Sequence, residues 1–190
     1  MNAWTRSRIH PPAPAVPDYL RPGLLVVFIG SNPGTASARA GHFYAAPSNR
    51  FWHLLAAAGI TPGLWGPTRD ADLLALGAGL TDIVKRSTPA AADLPEWEYA
   101  AGRLRLRRLL EHYRPKCAAY TAKTVYAAFA GLPSTAGVAY GLQERSVVPG
   151  VLDFVLPSPS GRSGIPFAEK ARHYRDLARL MEGWRGTAGA

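Results

Sequence analysis

LLVVFIGSNPG, Leu24 to Gly34, is the stretch on which the fold turns. The run from Leu24 to Ile29 is unbroken in its hydrophobicity, as a strand buried on both faces of a parallel sheet must be. Asn32, Pro33 and Gly34, ordinary turn residues, then cut it short. In open α/β sheets ligands sit outside the carboxyl ends of the strands, so this loop is a candidate site before any chemistry is assigned.

The rest of the chain alternates around that strand. Ser48 or Asn49 can cap a helix over 50–59, in which Phe51, Leu55 and Ala58 recur at helical spacing. A short helix is expected over 69–76 and a strand over 80–84. A long helix is predicted over 96–113, with Trp97, Ala101, Leu104, Leu109 and Tyr113 on one face and Arg103, Arg107 and Glu111 on the other. CAAY reads as a strand, KTVYAAFAG as a helix closed by glycine, and VLDFVL, Val151 to Leu156, as the last apolar strand. Phe167, Tyr174, Leu177, Met181 and Trp184 then line one face of a closing helix. The pattern predicts the α/β class, a three-layer sandwich with a mostly parallel central sheet flanked by helices.

At 190 residues and 47% hydrophobic composition the chain can build one sizeable core. Residues 1–22 read as a proline-rich N-terminal arm, because proline neither continues a helix nor donates to a strand ladder. Residues 23–190 then form a single domain. With 22 Lys+Arg against 13 Asp+Glu the formal charge is +9, which points to a polyanionic partner, nucleic acid first. The arginines of GRLRLRRLLEHYRPK read either as a basic face toward DNA or as a solvated helix surface. The lone Cys117 excludes an internal disulfide, and no Cys/His spacing suits a zinc or iron–sulfur site; neither metal nor cofactor is expected. No apolar run has the length of a signal peptide or a membrane span, so a soluble, cytoplasmic protein without membrane partners is expected.

Two polar loops leave strand ends, GSNPGTAS after the first and PSPSGRSG after the last. In a parallel sheet both emerge on one edge and share a cleft. The first loop has neither the GK[ST] ending of a phosphate-binding P-loop nor the G-x-G-x-x-G of a dinucleotide site. Taken alone, it is a tight turn.

The continuation is more specific. GSNPGTASARAGHFYAAPSNRFWHLL, Gly30 to Leu55, resembles the first signature of the mismatch-specific uracil/thymine-DNA glycosylase family, in the uracil-DNA glycosylase superfamily. VLPSPSGRSG, Val155 to Gly164, resembles that family's second signature, the loop that enters DNA, and the likeness runs in order from about Gly23 to Trp184. The resemblance implies a glycosylase that flips uracil, or another damaged or mispaired pyrimidine, out of double-stranded DNA and hydrolyses its N-glycosidic bond, initiating base excision repair. On that pattern Asn32 holds the attacking water, Tyr44 stacks on the base, and Gly30 and Ser31 complete the base site. Ser158 stands where more uracil-selective branches carry a histidine, which implies weaker activation and broader base choice. Ser160, Gly161 and Ser163 are candidates for phosphate contacts. Arg162 replaces a leucine wedge, and reads either as the filler of the vacated space or as a phosphate contact.

An amide orients water but cannot take its proton. A carboxylate is therefore a candidate helper, and Asp82 and Asp93 are the two at hand. Each has a structural reading as well: Asp93 with Glu96 as a capping box, Asp82 as a turn residue. Neither signature contains a lysine, so no Schiff base forms and the enzyme is expected to be monofunctional; separately, a monomer is expected. The rival reading is a non-catalytic duplex-DNA-binding protein that keeps the fold. A small-nucleotide hydrolase would need a cluster of metal-binding carboxylates that the sequence does not present.

Overall fold

The computed structural model describes residues 16–187; residues 1–15, most of the expected arm, and 188–190 lie outside them. Strands β1 (Val26–Gly30), β2 (Ala78–Asp82), β3 (Cys117–Tyr120), β4 (Gly141–Leu142) and β5 (Leu152–Val155) form one sheet in the order β2-β1-β3-β5-β4. All pairs are parallel except β4 on β5. The helices are α1 (Thr35–Ala40), α2 (Phe51–Ala57), α3 (Glu96–Tyr113), α4 (Lys123–Ala130) and α5 (Phe167–Thr187).

Alternation along β1 explains the layers, since successive side chains point to opposite faces. Val26 and Phe28 join Phe51, Leu54 and Leu55 of α2 and Tyr174, Leu177 and Met181 of α5 in one core. Val27 and Ile29 face Leu106 and Leu110 of α3 with Val125 and Phe129 of α4 in the other. Each such side chain contributes roughly 1.5–3 kcal/mol on burial. The expected three-layer α/β sandwich is therefore the one observed. Cys117 is a buried free thiol whose pKa burial drives upward. Among the described residues no helix is long and apolar enough to cross a membrane.

Several elements differ from expectation. The segment after the Asn32 loop, read as loop, is helix α1; at six residues, with no apolar periodicity, it leaves no helical signature. The helix expected over 69–76 is two 3-10 turns, Pro67–Arg69 and Ala71–Leu76, and β2 begins two residues before the expected strand. The inward face of α3 is also not the expected one. Gly102, Leu106 and Leu110 are buried, whereas Trp97 and Leu104 are 69% and 61% exposed. The reason is a close approach: a Cβ on Gly102 would lie 2.3 Å from the Ile83 carbonyl oxygen, so the helix backs onto the end of β2 along its glycine. Three of its arginines bond inward to backbone carbonyls, Arg103 to Ala128, Arg105 to Asp82 and Arg107 to Val147, and do not form a free basic face.

Residues 16–20, part of the expected arm, lie along β2. Tyr19 and Leu80 exchange N–H···O bonds of 3.0 Å in an antiparallel bridge.

Two helical glycines should respond oppositely to alanine. Gly102→Ala should destabilise by about 1–3 kcal/mol through overpacking. Gly183→Ala, with open space around its Cβ position, should stabilise by roughly 0.5–1 kcal/mol. Urea unfolding of the two variants beside the native protein checks both signs.

Candidate active site

The pairing of β1 with β2 does not stop at the strand ends. Ile83 N donates to Gly30 O and Val84 N to Ser31 O, each at 2.9 Å, and Thr88 N reaches Pro33 O at 3.3 Å. The loop after β1 thus runs beside the loop after β2. Asn32 is fixed within it: its amide nitrogen donates to Arg86 O at 2.9 Å and to Thr88 Oγ1 at 2.7 Å. The Arg86 carbonyl can only accept, and the Thr88 hydroxyl gives its own proton to Ala90 O at 2.6 Å. Both amide protons are therefore used, which fixes the orientation of the amide and leaves its oxygen as an acceptor. Ser31 Oγ shares a 2.7 Å hydrogen bond with Tyr99 of α3, and Arg86 forks onto Glu98 of the same helix, so α3 braces both loops.

The loop between α1 and α2 forms a second wall. Asp70, buried between the two 3-10 turns, accepts from Phe43 N at 3.0 Å and lies 3.2 Å from His42 Nδ1; Ser37 Oγ accepts from Ala45 N. Between these anchors Tyr44 takes the left-handed φ of 53°, uncommon for a bulky residue and a local cost accepted where a ring must be aimed. Its ring stacks on Phe51 at 3.9 Å between centroids, and its hydroxyl points to Thr121 Oγ1 at 3.4 Å.

The third wall is the loop after β5, and it is joined to the second. Arg50 N donates to Pro159 O at 2.8 Å, and a Cβ on Gly161 would sit 2.6 Å from Ser48 O. Beneath it Lys170 of α5, almost wholly buried, donates to Ser160 O at 3.2 Å; burial, then Arg50, lowers its pKa. The serines make tight local turns, Ser160 N onto Ser158 Oγ and Arg162 N onto Ser160 Oγ, which keeps both hydroxyl protons free to donate outward. Arg162 reaches across to Pro89 O at 3.3 Å.

The three walls enclose a cavity of about 280 Å³. Gly30, Ser31, Asn32, Tyr44, Asp82, Ser158, Ser160, Gly161 and Arg162 all line it. Ser163 and Asp93 do not: Ser163 N closes the turn onto Ser160 O, and the Asp93 carboxylate accepts from Ala90 N at 2.9 Å. That bond closes a 3-10 turn, Ala91–Asp93; the N-cap of α3 is Pro95, so the expected Asp93–Glu96 box on that helix does not form.

Asp82 is 3% exposed, and its Oδ2 has no hydrogen-bond partner among the described residues. Burial pushes its carboxyl up to about 7; Lys85 lowers it, Asp18 raises it and Arg105 lowers it. It also raises the neighbouring Tyr44 phenol, after burial. A buried carboxyl that titrates near neutrality is suited to proton transfer. Among the described residues no group of three His, Cys, Asp or Glu side chains could hold a metal ion. Asp70, Arg86, Thr88, Tyr99 and Lys170, which aim the site, carried no sequence signal, because each acts on a residue distant in the chain.

The strand-end cavity of this α/β fold is thus walled by an aromatic ring and lined by an oriented amide and a buried carboxyl. The profile of the Uracil DNA glycosylase superfamily matches residues 17–181, and the chain belongs to that superfamily. A Methanosarcina acetivorans protein known by its solution NMR structure, provisionally assigned as a uracil DNA glycosylase, has a similar fold. The two superpose with a TM-score of 0.56 at 16% identity over 90% of this chain and 98% of the other.

Two variants check this geometry. Gly161→Ala should lever the last loop away from Ser48 and weaken binding to uracil-containing DNA on the order of tenfold, about 1.4 kcal/mol, with little change in melting; fluorescence anisotropy reads it. Asp82 has a folded-state pKa of about 7, above its ordinary value of 3.8. As pH rises the unfolded chain loses this proton first, so the stability present below about pH 4 drains away as pH climbs through about 7. Asp82→Asn should therefore melt several degrees above the native protein at pH 8, and the gap should close at pH 4.

Proposed function

We propose that the protein is a monofunctional, mismatch-specific uracil-DNA glycosylase, acting on uracil and other mispaired or damaged pyrimidines flipped out of duplex DNA. The observation that carries this reading is the pairing, on one cavity lining, of the oriented Asn32 amide with the buried, unpartnered oxygen of Asp82. Membership of the uracil DNA glycosylase superfamily supports the reaction class.

The base enters the cavity with a face on Tyr44, whose ring is already backed by Phe51. Base–aromatic stacking of this kind is worth about 1–3 kcal/mol. The Asn32 oxygen accepts a hydrogen bond from a water and holds it at the sugar carbon C1′. The bond from C1′ to the base nitrogen breaks with its electron pair leaving on the base, and the water oxygen bonds to the electron-poor C1′. The water proton passes to the ionised Asp82 carboxylate, and the base anion takes a proton from solvent. The products are free base and an abasic sugar. Ser158 offers a hydroxyl rather than an imidazole to the departing base, which fits a broad base choice over strict uracil selectivity. Ser160 and Arg162, at the rim, meet the phosphate backbone. Because no amine attacks C1′, the strand is left uncut.

Base release from a labelled duplex holding a G·U pair tests the proposal, with an A·U duplex and a single strand for comparison. Uracil should leave fastest from G·U. Asn32→Ala should slow release about 10²-fold or more by unseating the water, and Asp82→Asn about 10²–10⁴-fold. The native rate should fall on the acid side of about pH 7 as Asp82 takes up a proton. Tight duplex binding with no release from any of these substrates would replace this reading with the non-catalytic binder.

A further inference from the structure

Residues 16–20 form part of the site as well as of the sheet edge. Val16 is 1% exposed and lines the cavity. Its carbonyl accepts from Lys85 Nζ at 2.5 Å, and the same ammonium donates to Asp18 Oδ1 at 2.8 Å. Thr81 Oγ1, on β2, also donates to Asp18 Oδ1, at 2.7 Å. Arg105 of α3 bonds to Asp18 Oδ2 through one guanidinium nitrogen and to the Asp82 backbone carbonyl, at 3.1 Å, through another. One carboxylate thus gathers two cations and a hydroxyl from three elements, immediately beside the residue that takes the proton in the proposed reaction.

We propose that Asp18 is a positioning residue of the active site: it clasps residues 16–20 onto β2 so that Val16 walls the cavity, and it holds Lys85 and Arg105 on itself and off the Asp82 carboxyl. The inference rests on the reading of Asp82 as proton acceptor. Its physical basis is competition for cations. A carboxylate facing an unopposed ammonium or guanidinium stays ionised and is a poor base; with those charges paired elsewhere, burial dominates and the carboxyl holds a proton more readily. The groups that act on Asp82 are Lys85 from the loop after β2, Asp18 from the N-terminal segment and Arg105 from α3, with the Tyr44 phenol coupled to it from the loop after α1. Asp18 opposes both cations at once. Thr81 gives the clasp its register, because it lies on β2 one residue before Asp82.

The test uses the full chain, as native protein, Asp18→Asn, Asp18→Glu and Lys85→Met. The readouts are the Asp82 side-chain carboxyl titration by ¹³C NMR, assigned against Asp82→Asn, and the pH profile of single-turnover release from a G·U duplex. Asp18→Asn should lower the Asp82 midpoint by on the order of one pH unit. Lys85→Met should raise it, Asp18→Glu should recover most of the native value, and the acid limb of the rate profile should move with each. A general loosening of the fold moves the two midpoints together, so opposite displacements are the signature of charge held by Asp18. Midpoints that stay put, or that move the same way in Asp18→Asn and Lys85→Met, would overturn the proposal. If Asp82→Asn keeps full base release, the reading of Asp82 as acceptor fails, and the carboxyl titration still decides the clasp.

Discussion

The register of β1 on β2, which sets Gly30 opposite Asp82, is the constraint on which the site depends. A Cβ at position 30 would lie 2.2 Å from Asp82 Oδ1, so the carboxyl occupies the space a side chain would have filled. From that pair the hydrogen-bond ladder runs on into the two loops, and it is this continuation that brings Thr88 and the Arg86 carbonyl to the Asn32 amide. The chemistry therefore stands on backbone pairing rather than on mobile side-chain packing. Groups held that way need little rearrangement when a ligand arrives, which is how preorganised sites lower barriers.

In the proposed reaction Asn32 and Asp82 divide a task that neither does alone. The amide has fixed hydrogen-bonding direction and no charge, so it can hold water without repelling an electron-rich base. The carboxyl can accept a proton, but as an anion it would oppose both an incoming polyanion and a departing base. Burial under Gly30 resolves the conflict by lifting its pKa toward 7, where a proton is gained and lost at little cost. The consequence is an intrinsic instability, since an unpartnered buried carboxyl is cheapest when neutral. The paired cations on Asp18 are what keep that neutral form within reach.

The parts of this architecture that depend on burial were legible in the sequence. LLVVFIG, CAAY and VLDFVL read as strands because a two-sided apolar environment demands unbroken hydrophobic runs, and the loops at their ends fell on the same edge as expected. The long α3 was legible in extent but not in facing. Its apolar residues Trp97 and Leu104 suggested one inward face, whereas contact is made through Gly102, a residue that hydrophobic periodicity counts as nothing. Asn32, Tyr44 and the PSPSGRSG loop were recognisable because they lie in compact signatures. Asp82 and Asp93 looked alike in sequence, each with an unremarkable structural reading, and only burial separates them: one lies under Gly30, the other is exposed at a 3-10 turn. The residues that aim the site, Thr88, Asp70 and Lys170, act across the chain and leave no local pattern.

Net charge is the feature whose meaning changes most between sequence and structure. A formal +9 favours approach to a polyanion from a distance, where only the summed field matters. At contact range three of the four arginines of α3 are less available, because Arg103, Arg105 and Arg107 are tied to carbonyls and Asp18. The cavity is lined instead by the serine hydroxyls of Ser158 and Ser160 and by Arg162. Such donors fix position without reading base identity. Long-range attraction and close-range recognition therefore reside in different residues. In the proposed reaction, discrimination among bases then falls to the shape and hydrogen bonding of the cavity lined by Tyr44, Asn32 and Ser158.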